Sequence, residues 1–170
     1  MKRILNKIRG NSTPPPRPHH WQVLTGLVGG AIGIGIIAML AHTQGLPLLM
    51  APFGATCVLL FAAPDTPLAQ PRNVIGGHLI SSLVGLLFLK YIGAGPVEMG
   101  FAVGVAIALM QLTRTLHAPA GADPLVVLMS GKVGWSFLAA PVLASAVLLV
   151  LVALLVNNVG NNKQWPRYWI

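Results

Sequence analysis

Residues 46–63 read LPLLMAPFGATCVLLFAA, and this stretch decides the fold. It is apolar enough for a membrane interior, yet Pro47, Pro52 and Gly54 interrupt its first half. A proline inside a helix removes an N–H donor and clashes with the preceding turn. The reading is therefore an extended lead-in followed by a short helix over 55–62. Irregular backbone at membrane depth is tolerated only where protein or a water-filled cavity surrounds it. The stretch thus predicts a broken, re-entrant element inside an integral membrane protein.

The composition agrees. Of 170 residues, 55% are hydrophobic and 8% charged, against roughly 25% charged in a soluble domain. The mean hydropathy is +0.74. Lys and Arg total 11 against 3 acidic residues, a formal net charge of +8. That balance need not mean nucleic acid, and none is expected as a partner. Lys2, Arg3, Lys7, Arg9 and Arg17 all precede the first apolar run, the pattern of a cytoplasmic flank. Cys57 stands alone, which excludes an intramolecular disulfide and a cysteine zinc site.

Residues 1–20 form a basic arm stiffened by Pro14-Pro15-Pro16-Arg17-Pro18, with no signal-peptide cleavage site. Residues 21–156 form the membrane domain. Long helices are predicted over 21–41, 73–91, 96–116 and 135–156. Gly26, Gly29, Gly30 and Gly33 give the first of them two overlapping small-residue pairs suited to close packing. A second break, HAPAGADP over 117–124, leads into a short apolar run over 125–130, whose last carbonyls Lys132 would cap. Residues 157–170 form a cytoplasmic tail in which Lys163 and Arg167 accompany Trp165, Tyr168 and Trp169 as interfacial aromatics.

The two halves resemble each other. Gly29–Met39 (GGAIGIGIIAM) aligns with Gly100–Met110 (GFAVGVAIALM), and Pro52-Phe53-Gly54-Ala55 with Pro119-Ala120-Gly121-Ala122. The repeats are 21–92 and 96–156. The predicted fold is all-α: four spanning helices plus two short re-entrant helices, because residues 125–130 are too short to cross alone. The alternative is a six-element inverted repeat. The positive charges divide 8:3 between the two sides in the first arrangement and 9:2 in the second, which does not decide between them.

Paired, interrupted segments in corresponding positions mark the binding site of many transporters. A helix that starts inside the membrane leaves N–H groups unpaired, and these with the helix dipole suit an anion. Gly54-Ala55 and Gly121-Ala122 are the expected starts. Thr56 follows the first, and its hydroxyl suits donation to an anion. Asp123 follows the second, as an N-cap ahead of Pro124. His117 stands at the mouth of the second break, as an anion donor or a helix-end cap. His78 is an ionisable group within a span, functional or structural. Arg72 and Asn73 open its helix. Arg72 is either an anion fork or an interfacial group bound to lipid phosphate or paired with Asp65. Arg114 lines a vestibule or snorkels.

No metal-ligand pair, nucleophile–base spacing, P-loop or dinucleotide fingerprint is present, so neither an enzyme nor a cofactor is expected.

PFGA (52–55) followed by LLFAAP, then PLAQPRNVIGGH (67–78) and HAPAGA (117–122), resembles the HPP family of small integral membrane proteins. The family's His-Pro-Pro reads His117-Ala118-Pro119 here. The resemblance implies four spans and a transport role, proposed to be nitrite transport in photosynthetic members. The expected function is transport of a small, nitrite-like inorganic anion, with membrane lipid and a second copy of the chain as partners. The expected setting is a bacterial inner membrane with both termini cytoplasmic. The competing reading is a structural or assembly subunit without transport activity.

Overall fold

The computed structural model describes residues 12–159 and 164–170. Lys2, Arg3, Lys7, Arg9 and Lys163, assigned to the cytoplasmic side above, lie outside the described residues. Among the described residues all regular structure is helical.

Helix α1 spans His20–Gln44 and ends at Gly45, whose φ of 65° is the left-handed conformation that closes helices. Its 25 residues reach about 37 Å. An irregular segment over 45–50 follows, in which the Leu48 N–H donates to the Leu46 carbonyl. Helix α2, Ala51–Cys57, continues in wider turns through Ala62. It starts four residues ahead of the expected Ala55. Pro52 opens this helix rather than breaking it, because a proline in the first turn forfeits an N–H that has no helical partner anyway.

The same chemistry moves two more boundaries. Helix α3, Pro71–Tyr91, starts at Pro71 instead of Asn73, and α5, Asp123–Ser130, starts two residues ahead of Leu125. Helix α4 is Pro96–Leu112 and stops short of the expected Leu116; Arg114 then adopts a left-handed φ of 57°. A 3₁₀ turn over Ala118–Ala122 leads into α5. Gly131, not Lys132, closes α5, donating its N–H to the Val127 carbonyl. The last segment is not one straight helix. Trp135–Leu138 is a 3₁₀ turn, the backbone kinks at Ala140 (φ −138°, ψ 119°), and regular helix α6 covers Ala144–Asn157. Pro141 disfavours helical geometry at the residue before it, which puts the kink at Ala140.

Three segments are long and apolar enough to cross a membrane: His20–Gln44, Pro71–Tyr91 and Trp135–Asn157. Helix α4, at 17 residues, is shorter.

Side-chain bonds tie the segment ends together. Gln22, at the start of α1, donates to the Ala62 carbonyl at the end of α2. Arg72, opening α3, donates to the Thr113 carbonyl just past α4. Arg167 of the tail pairs with Asp65. All these groups therefore share one end of the molecule. Lys90 lies over the Trp135 ring at 5.4 Å, and Ser145 donates to the Leu48 carbonyl, both away from that end. Among the described residues, six segments thus run alternately between the two ends.

Helix α3 is central. One core packs Ile37, Phe53, Leu60, Phe61, Val74, Leu149 and Ala153 between α1, α2, α3 and α6. A second packs Val84, Ala102, Ala106 and Leu128 between α3, α4 and α5. Close approach of α3 to α5 depends on Gly85, where a β-carbon would lie 2.9 Å from Pro124 Cα. Of the small-residue pairs on α1, Gly29 and Gly33 face Phe61 and Leu149, whereas Gly26 and Gly30 face open space. Trp165, expected at the interface, is buried in the first core, while Tyr168 and Trp169 are exposed.

Candidate functional site

Four fully buried polar side chains from four separate elements meet where the two broken segments pass α3. Thr56 comes from α2, His78 from α3, His117 from the second break and Asp123 from the first turn of α5. Thr56 and His78 each lie about 10 Å along their helices from the end that carries Arg72.

Thr56 Oγ1 is the centre. It lies 2.8 Å from His78 Nε2 and 2.9 Å from His117 Nε2. The Pro52 carbonyl, one turn earlier on α2, is 3.2 Å away. On the far side of its ring, His78 Nδ1 lies 2.8 Å from Asp123 Oδ2. His117 Nδ1 lies 2.7 Å from the Leu68 carbonyl. A carbonyl only accepts, so this nitrogen of His117 carries a proton. Ser82 donates to Asp123 Oδ2 at 3.2 Å, and Ser81 to the Ala120 carbonyl. The two imidazole rings stand edge to face at 4.9 Å, and Phe53 stands edge to face on His78 at 5.0 Å. The result is a continuous chain from a carboxyl group through two imidazoles to a backbone carbonyl.

Asp123 was expected as an N-cap. It is instead the first helical residue, the cap position is Ala122, and no side chain caps the helix. Its carboxyl turns inward to His78 because the 3₁₀ turn before it delivers the chain against α3. His117 stands at the N-cap position of the 3₁₀ turn with no side-chain bond to that turn; its Nδ1 bonds the Leu68 carbonyl, 49 residues away.

The remaining expected site residues lie elsewhere. Asn73 is buried and donates to the Leu116 carbonyl, while the Tyr168 hydroxyl donates to its Oδ1. Half-buried Arg72 lines a cavity of about 420 Å³ with Trp169 and Ile170, and it does not pair with Asp65. Arg114 is exposed. Gly54, Ala55 and Ala122 are exposed, and Gly121 borders open space. With α2 starting at Ala51, Gly54 and Ala55 are interior helical residues, so they do not form the expected helix start.

Ser81, Ser82 and the Leu68 carbonyl were not anticipated. The serines had a visible signal: they sit three and four residues after His78, on its face of an otherwise apolar helix. A backbone carbonyl has no sequence signal.

The order carboxyl–imidazole–hydroxyl is that of a hydrolase relay, assembled from residues too far apart in sequence to be read as one. Here the hydroxyl is enclosed by two imidazoles and a carbonyl. A nucleophile needs one open approach, so this geometry suits proton exchange.

The family model for the HPP transmembrane region matches residues 15–166. The chain belongs to the HPP transmembrane family. It is 34% identical to a transmembrane protein of Dictyostelium discoideum over 94% of this chain and 60% of that one. A second transmembrane protein of the same organism is 33% identical over 96% of this chain and 56% of its own length. The chain therefore spans somewhat more than half the length of these curated relatives. No solved structure matches it. With family, composition and spans in agreement, this HPP protein is an integral membrane protein.

Proposed function

We propose that this HPP protein transports a small inorganic anion, nitrite-like in size and charge, and is not an enzyme. One observation carries the reading: four ionisable or hydroxyl side chains, fully buried, meet where two broken apolar segments pass a central helix. A buried polar cluster is expensive at membrane depth and is retained where something polar must pass. Donors are present for an anion; acidic groups for a metal cation are not, since Asp123 is the single carboxyl in the cluster.

The six alternating segments favour the six-element inverted repeat over four spans with two re-entrant helices. In that path Arg72 and Arg114 join the arm and tail on the cytoplasmic side and Lys90 faces out. This is the 9:2 division, the stronger positive-inside bias. Both termini are then cytoplasmic, and we keep the bacterial inner membrane as the setting.

A second reading has one observation in its favour. Gly26 and Gly30 on α1, and Gly100 and Gly104 on α4, border open space. Such faces suit close helix packing against a further chain. This fits a homo-oligomer of transporters, and equally an assembly subunit with no transport.

The test is flux of nitrite, nitrate, formate and chloride into liposomes holding the purified protein, with His117→Ala as comparison. Selective flux that falls in the variant supports transport through the cluster. No flux from folded protein for any of the four transfers the weight to the subunit.

A further inference from the structure

We propose that Asp123, His78, Thr56 and His117 form a proton relay that stores one proton beyond the ordinary inventory of a carboxylate and two neutral imidazoles. The count follows from hydrogen-bond chemistry. His117 Nδ1 faces the Leu68 carbonyl at 2.7 Å and must carry a proton. If His117 is neutral, its Nε2 is a lone pair and needs a donor. Among the described residues only Thr56 Oγ1 is there, at 2.9 Å. A hydroxyl has one proton to give. His78 Nε2, at 2.8 Å from the same oxygen, must then donate to it.

The consequence reaches the other side of the ring. With Nε2 protonated, a neutral His78 presents a bare Nδ1 to Asp123 Oδ2 at 2.8 Å, and the carboxyl must be the donor. Otherwise His78 holds both protons and Asp123 is ionised. Either way one extra proton resides in the chain. Should Thr56 donate to His78 instead, His117 Nε2 must be protonated, and the same extra proton sits there. Should Thr56 donate to the Pro52 carbonyl, both imidazoles must donate to it and the store is larger still.

A second observation agrees. Asp123 Oδ1 is buried with no hydrogen-bond partner among the described residues. Burying an unpaired oxygen of a carboxylate costs far more than burying the carbonyl oxygen of a neutral acid. The proton is therefore most at home on Asp123 when the relay is at rest.

Transfer balances atom by atom. The Asp123 carboxyl proton passes to His78 Nδ1, the His78 Nε2 proton to Thr56 Oγ1, and the Thr56 hydroxyl proton to His117 Nε2. The chain begins neutral and ends with Asp123 as carboxylate and His117 as imidazolium. No oxidant or other reactant is needed. The titratable groups in the network are Asp123, His78 and His117. Facing them are Thr56 and Phe53 from α2, Ser82 from α3 and backbone carbonyls. The nearby cation Arg72 is engaged by the Thr113 carbonyl, and Arg167 by Asp65. A cation parked on His117 beside the break would attract an anion. That coupling rests on the transport reading, whereas the proton count does not.

The test uses the full chain in lipid bilayers at neutral pH. Infrared difference spectra between native protein and Asp123→Asn report a protonated carboxyl. The ¹⁵N resonances of labelled histidine, assigned with His78→Gln and His117→Gln, report each imidazole. A protonated Asp123, or one imidazolium at position 78 or 117, is the expected result. An ionised Asp123 beside two neutral imidazoles overturns the proposal. In Thr56→Val the extra proton is lost, while Thr56→Ser keeps it; retention in Thr56→Val also overturns the relay. If Thr56→Val does not fold, the native spectra and Thr56→Ser still decide, since loss of the proton in the serine variant counts against the hydroxyl bridge. Absent flux with the proton present overturns transport alone; flux with an ionised Asp123 beside two neutral imidazoles overturns the relay alone.

Discussion

Gly77 lies directly beneath His117: a β-carbon on this glycine would come within 2.7 Å of the His117 Cβ and 2.9 Å of the Thr115 carbonyl oxygen. The first neighbour is the root of a side chain anchored at both ring nitrogens, and the second is backbone. Neither can yield cheaply. Gly77→Ala should therefore cost about 1–3 kcal/mol, the range for overpacking a filled interior, and should move His117 away from Leu68. Gly54→Ala, where a β-carbon meets nothing within 4 Å, serves as the control and should leave stability unchanged or slightly raised. Thermal unfolding in detergent compares the two. Equal midpoints would show that the α3–break contact is looser than described.

Asp123→Asn and Asp123→Leu separate hydrogen bonding from proton transfer. Asparagine can still donate to His78 Nδ1, so its variant should fold with a loss on the order of 1 kcal/mol. Leucine leaves the imidazole unpartnered in a buried site and should cost about 1–3 kcal/mol. Both lack an acidic proton, so both should lose any component of anion flux driven by a pH gradient. A pH-driven flux that survives in Asp123→Asn would remove Asp123 from the proton path.

The sequence disclosed the chemistry of the centre better than its geometry. His78, His117, Thr56 and Asp123 were all legible, because polar groups stand out in apolar segments. Their mutual bonds were not, because the bonded pairs are 22 to 61 residues apart along the chain. Two helix starts failed in the same direction: Pro52 and Pro71 were placed in breaks, yet each sits in the first turn of its helix. The glycines at 54 and 121 drew attention as anion cradles and proved to line open space. Trp165 was assigned to the interface by its type, but Asn158 holds its backbone at both ends and turns it inward.

Asp65 and Arg167 form the ion pair that joins the tail to the α2–α3 connection. Their side chains are 72% and 53% exposed, so solvent screens the attraction. Asp65→Asn should change stability by less than about 1 kcal/mol. Gln70, fully buried, accepts from the Arg167 N–H and donates to the Pro64 and Thr66 carbonyls. Gln70→Leu strips partners from all three backbone groups and should cost several times more than Asp65→Asn. Unfolding midpoints in low and high salt test the contrast, and a large salt-sensitive loss in Asp65→Asn would reverse the ranking.

Arg114 offers a case in which stability and function should part. Its φ of 57° is a conformation that costs a branched or long side chain roughly 1 kcal/mol and that asparagine tolerates. The side chain is exposed, at the end of the molecule where Arg72 holds the Thr113 carbonyl. Arg114→Asn should therefore raise stability by up to about 1 kcal/mol. If the guanidinium guides anions toward the break, the variant's flux should fall furthest below native at low ionic strength and the gap should close as salt is added, because screening weakens an exposed charge over about 10 Å at 0.1 M. If it does not, flux should match the native protein at every salt concentration. Measuring melting and flux on the same preparation distinguishes a steering residue from one that only closes α4, since a packing defect would lower both together.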